Sequence, residues 1–148
     1  VQYADEQFTD SKNFVSGRVK RLNKVYEQIN ALDDVTPHAL AKKVTLYAVA
    51  QNIIGDLYAQ AVYDAGLAYN NRKEAQAASE LGYIGGTVKE RECYGIVAVS
   101  DLKKLETKAE AERQRWEKAF YSTENLANAI KHELKVTFFD YGQGGKPS

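Results

Sequence analysis

The stretch Thr87–Lys135 reads TVKERECYGIVAVSDLKKLETKAEAERQRWEKAFYSTENLANAIKHELK. It opens on Thr87-Val88-Lys89-Glu90, the spacing at which a Thr hydroxyl and a Glu carboxylate three residues later satisfy the free amides of a helix start. Apolar or small residues then recur at Leu102, Leu105, Ala109, Trp116, Phe120, Leu126, Ile130 and Leu134. Their steps are mostly three, four or seven, the period of an amphipathic helix. Charged residues of both signs fill the intervals between Lys103 and Arg115. Gly95 and Ser100-Asp101 interrupt the run, so the spacing predicts a short helix near 88–98 and a long one over 101–135, with Ser100 as its cap. Such a helix packs lengthwise on others and carries no chemistry of its own.

Working outward, Gly82-Tyr83-Ile84-Gly85-Gly86 reads as a flexible turn into the Thr87 cap. Upstream of it, Thr36 is a capping residue and Pro37 suits the first helical position, where its missing amide costs nothing. The next helix is predicted from Pro37 to about Asn70, with an extension to Ser79 left open and Asn70-Asn71 as its weak point. Leu40, Val44, Tyr47, Ile54, Tyr58, Ala61, Ala65 and Tyr69 mark one apolar side, widened by Val49, Ile53, Leu57 and Val62. A helix this broadly apolar meets more than one neighbour. Before the Asp33–Pro37 break, Val15, Val19, Leu22, Tyr26 and Ile29 form a short heptad seam that predicts a helix from about Ser11 to Leu32. Residues 1–10 and 142–148 read as loose ends. Val136-Thr137-Phe138-Phe139 reads as a short extended segment or a hydrophobic hook.

Composition agrees with an all-α protein: a single domain over residues 1–148, built as a long helical hairpin or bundle of three to four helices. Prolines number two in 148 residues, and 44% of residues are hydrophobic, enough for a core. Twenty basic residues balance twenty acidic ones, so no global charge draws the chain to nucleic acid or to a lipid surface. Any polyanion site must come from local charge segregation. One cysteine, Cys93, excludes an internal disulfide and multi-thiolate zinc sites, and is compatible with a reducing compartment. The opening VQYADEQFTD does not read as a signal peptide, and no apolar run reaches the length of a membrane span.

From Ser11 to Tyr26 there are five cations and no carboxylate: Lys12, Arg18, Lys20, Arg21 and Lys24. On a helix these form a basic stripe, either a solvated face or a surface that neutralises phosphates. Arg72-Lys73 beside Tyr69 is a second basic spot, where an aromatic ring next to cations suits stacked bases of a single strand. The alternative for Tyr69 is a core or interface role. Trp116 amid Glu110, Glu112, Arg113 and Arg115 is either an anchored indole under a charged exterior or a protein-interaction hot spot. Tyr47, Ile54, Tyr58, Trp116 and Phe120 are the candidate protein-interface residues. His38 and His132 lie far apart and belong to no paired-ligand motif. No catalytic residue, metal or cofactor is expected, and nothing makes a positive case for an enzyme.

Residues 95–134, GIVAVSDLKKLETKAEAERQRWEKAFYSTENLANAIKHEL, resemble the small helical recombination mediator proteins of T-even-type bacteriophages. The likeness is a short helix, a Ser-containing acidic break and a long helix with a central Trp, then an apolar pair and a small-residue run ending Ala-Ile-Lys. Its positions here are Trp116, Phe120, Leu126, Ala129, Ile130 and Lys131, and the tyrosine-rich helix before Arg72-Lys73 resembles the family's aromatic-basic region. The resemblance covers about half the chain. It implies a ring-like homo-oligomer in the cytoplasm of a bacterial host cell. That oligomer binds single-stranded DNA and loads a strand-exchange recombinase onto DNA coated by single-strand-binding protein. The chain departs from the family in its neutral charge and its basic first helix. On these expectations Arg18, Lys20, Arg21, Lys24, Tyr69, Arg72 and Lys73 form the DNA-binding set. The alternative is a helical adaptor or assembly protein, in a virion or against a host defence factor, that binds proteins alone.

Overall fold

A computed structural model describes residues 2–143 and is all-helical across them, with four helices. These are α1 (Gln2–Asn30), α2 (Pro37–Gly82), α3 (Val88–Ala98) and α4 (Ser100–Gln143). At 1.5 Å per residue α2 and α4 are about 69 and 66 Å long. By contact the chain divides into two compact units, residues 1–57 with 117–148 and residues 58–116, so α2 and α4 contribute to both.

The expected helix starts and stops are set by local chemistry. Past α1, the Asp33 carboxylate accepts from the backbone N–H of Thr36 at 2.8 Å and of Val35 at 3.0 Å. Those two amides, Thr36 first, hold the Asp33 carboxyl below its ordinary value of 3.8. The Thr36 hydroxyl in turn accepts from the Ala39 N–H at 3.3 Å, capping α2 with Pro37 in its first turn. At α3 the capping box is complete: Glu90 N–H donates to the Thr87 hydroxyl, and Thr87 N–H donates to the Glu90 carboxylate at 2.7 Å. Gly85 and Gly86 precede it with φ of 92° and 75°, left-handed conformations that glycine adopts without strain.

Four boundaries differ from the sequence reading. α1 begins at Gln2, so residues 2–10 are helical rather than a loose lead. The stretch Gln2–Asp10 holds no Pro or Gly to stop a helix. Asn70-Asn71 does not interrupt α2 either; the helix runs unbroken to Gly82. Val99, not Ser100, flanks α4, its carbonyl accepting from the Lys103 N–H at 2.9 Å. Val136-Thr137-Phe138-Phe139 is neither extended nor a hook but part of α4. No breaker stands there, and the Thr137 hydroxyl donates to the Glu133 carbonyl at 2.8 Å, within the helix. Gly142 and Gln143 close α4, and residues 144–148 of the expected loose tail lie outside the described residues.

In the first unit Leu22, Val25 and Ile29 of α1, with Leu40, Ala50, Ile53, Ile54 and Leu57 of α2, form a continuous apolar core. α4 adds Thr123 and Ala127, both buried, and Phe120, whose ring lies 3.6 Å from where a Cβ on Gly55 would stand. The Tyr26 and Thr123 hydroxyls share a hydrogen bond at 3.4 Å. Lys43 is buried, and its ammonium pairs with Asp34 across the turn.

The second unit has a thinner interior: Ala61, Ala65, Gly95 and Val99. α3 meets α2 so closely that a Cβ on Gly95 would lie 2.5 Å from Glu80 Cγ. Larger apolar residues of this unit face outward, among them Tyr63, Leu81 (85% exposed), Ile84 (97%) and Val97.

Candidate nucleic-acid interface

α1 carries the basic stripe because its apolar positions turn inward and leave the cations outside. Lys20, Arg21 and Lys24 are exposed, and none has a charged or hydrogen-bonding partner among the described residues. Lys20 and Lys24 stand one turn apart, with Arg21 three residues before Lys24, so the three charges share one side of the helix. Arg18 differs. It is half-buried, paired with Asp56 of α2 at 3.2 Å, and its guanidinium lies 4.8 Å from the centroid of the Phe14 ring. Lys12, exposed one and a half turns earlier, is also engaged.

The second basic spot is organised otherwise than the sequence implies. Tyr69 is exposed, with the Arg72 guanidinium 5.4 Å and the Lys73 ammonium 5.8 Å from its ring centroid. Arg72, however, is tied into α4: its Nε donates to Glu106, and its Nη1 donates to Gln76 at 3.0 Å. Both partners of that ion pair are largely shielded, at 12% and 14% side-chain exposure, so Arg72 is a structural cross-link, whereas Lys73 is exposed and has no ion-pair partner among the described residues. Arg72 and Lys73 belong to the second unit and the α1 stripe to the first.

The carboxylates beside these cations titrate low. Glu106 is held below the ordinary 4.5, chiefly by the Arg72 hydrogen bond, which outweighs the opposing effect of burial, with a further lowering from Lys103. Glu110 is likewise depressed, chiefly by Arg113, which donates to it at 2.6 Å through Nη2. A carboxylate lowered on folding stabilises the folded chain while ionised. That contribution is complete above pH 4.5 and disappears as pH falls through the depressed value. Thermal midpoints followed by circular dichroism are therefore expected to fall progressively below about pH 4.5. Arg72→Met is expected to remove most of the Glu106 share of that acid limb, since Lys103 remains beside the carboxylate.

The interface candidates separate. Ile54 is 1% exposed inside the first unit and cannot be offered to a partner. Its place at the centre of the wide apolar side makes it core. Tyr47, Tyr58 and Phe120 are half-buried, and Phe120 meets Tyr121 edge-on at 5.7 Å. Trp116 is half-buried and donates from Nε1 to Glu112 at 3.0 Å, while Glu112 also pairs with Arg115 at 3.1 Å. The indole is anchored by its own helix. Cys93, His38 and His132 are exposed, and among the described residues no group of three or more His, Cys, Asp or Glu is placed to hold a metal. No described helix is long and apolar enough to cross a membrane.

Phe14 was not among the candidates read from the sequence. The signal was there, an aromatic ring four residues before the first arginine of the stripe, but only the fold shows the two in contact. Comparison of the chain with protein-family models, with curated proteins and with solved structures finds no match.

Proposed function

We propose that this chain is a non-enzymatic, single-stranded-DNA-binding recombination mediator that works as a homo-oligomer and helps load a strand-exchange recombinase. The observation that carries the DNA-binding part is the unneutralised trio Lys20, Arg21 and Lys24 on one side of α1. In a chain of zero net charge, such a trio is a local phosphate-binding surface. Lys73 beside exposed Tyr69 supplies a second, smaller contact. The recombinase-loading role rests on the resemblance of residues 95–134 to the phage mediators. Oligomerisation rests on the second unit, whose interior is built of small residues while Leu81, Ile84 and Val97 stand in water. Apolar surface of this kind favours association.

Binding of a fluorescent single-stranded oligonucleotide, measured from 50 to 200 mM salt with mass determined on the same sample, tests this reading. Three phosphate contacts predict a slope of about −2 in log K against log salt, at roughly −0.7 per contact on a single strand. A defined oligomer whose binding does not weaken with salt would rule out the phosphate mechanism. A folded oligomer that binds no DNA at low salt would favour the second reading, a protein-only helical adaptor, for which the outward apolar residues of the second unit are the specific observation.

A further inference from the structure

We infer that Phe14, with the Arg18 guanidinium laid over its ring, is the base-stacking platform of the α1 basic face and makes that face select single strands over duplex. This deepens the DNA-binding reading and rests on it. Positions 14, 17, 21 and 24 advance by three, four and three residues, which places Phe14, Gly17, Arg21 and Lys24 along one side of α1. All four are exposed, and Phe14 keeps 37% of its surface in water. Between the ring and the cations stands a residue without a side chain, and a Cβ on Gly17 would meet nothing within 4 Å. The space over Gly17, on the path of about 10 Å along the axis from Phe14 to Arg21, is therefore open. One strand can rest a base on the ring and its neighbouring phosphates on Arg21 and Lys24.

Arg18 divides the labour. Asp56 already balances its charge at 3.2 Å, so it adds little to phosphate attraction. Its guanidinium also lies over the Phe14 ring, 4.8 Å from the centroid, so the two planar groups sit together on this face. Aromatic rings and guanidinium planes both stack unpaired bases, and stacking is tolerant of sequence. A duplex keeps its bases stacked inside and offers this face only phosphates. The ring therefore adds affinity for single strands alone.

The test compares full-length wild type with Phe14→Leu and Phe14→Tyr, using fluorescence anisotropy of an oligothymidine and of a duplex of equal length over a salt series. Phe14→Leu is expected to weaken oligothymidine binding about tenfold with an unchanged salt slope and unchanged duplex binding. Phe14→Tyr, which keeps the ring, is expected to bind as wild type does. Equal binding by Phe14→Leu and wild type would overturn the platform while leaving the DNA-binding reading in place. So would equal losses for single strand and duplex, which would make Phe14 a structural residue. Wild type binding neither probe would remove the DNA-binding reading and this inference together.

Discussion

Reversing Lys20, Arg21 and Lys24 together to glutamate is expected to abolish most of the salt-dependent affinity for single-stranded DNA. Three phosphate contacts at roughly −0.7 each account for about a twentyfold change in affinity between 50 and 200 mM salt. In the triple variant that dependence should flatten, and binding at 50 mM should fall by at least the same factor, because repulsion replaces attraction. The three side chains are exposed and without partners among the described residues, so the folded state loses no pairing when they change. An unchanged circular dichroism melting curve beside the lost binding would separate a surface effect from unfolding. By contrast, Arg72→Glu should chiefly damage the fold, since Arg72 bridges Glu106 and Gln76. A triple variant that binds as wild type does would rule out the α1 face.

Ile54→Ala is expected to be the most damaging single core change. Ile54 is one of three large side chains that are essentially fully buried, with Leu40 and Leu57. Truncation removes buried methyl groups and leaves a cavity that neighbouring side chains fill only in part, at a cost of about 3 kcal/mol. For a chain of this size that corresponds to a loss of roughly 10 °C in the thermal midpoint. Leu81→Ala provides the contrast. Leu81 is 85% exposed, and its truncation should change stability by no more than about 0.5 kcal/mol at concentrations where the chain is monomeric. A midpoint for Ile54→Ala within 2 or 3 °C of wild type would mean that this residue does not sit in a packed core.

The two variants also show where reading the sequence stopped short. Ile54 and Leu81 are both large and aliphatic, and nothing local says that one is core and the other bathed in water. On α4 a seam of non-exposed positions runs through Leu102, Glu106, Ala109, Arg113 and Trp116 in the second unit, and through Phe120, Thr123, Ala127, Ile130, Leu134 and Thr137 in the first, with Glu110, Glu112, Glu117 and Ala119 half-buried beside it. The seam positions alternate in steps of four and three, the 3.5-residue repeat of coiled-coil packing. The apolar pattern alone places Leu105 and Leu126 on that seam, and both are exposed. Glu106 and Thr123, polar residues that the apolar pattern passes over, occupy seam positions because each finds a polar partner on another helix. Partner choice across helices is long-range, so the spacing within one helix carries no trace of it.

By itself the sequence determined the helical class and the main punctuation. Capping residues, prolines and left-handed glycines act through bonds to neighbours three or four residues away, and that is why Thr36, Pro37, Gly85-Gly86 and Thr87-Glu90 were legible. The same short range made the cation run of α1 visible. Only the tertiary structure decided which of those cations are free. Asp56 takes Arg18, Glu106 takes Arg72 and Asp34 takes Lys43, while Lys20, Arg21 and Lys24 keep their charges to themselves. Charge is a property of a residue, but its neutralisation depends on what a fold brings within about 4 Å of it.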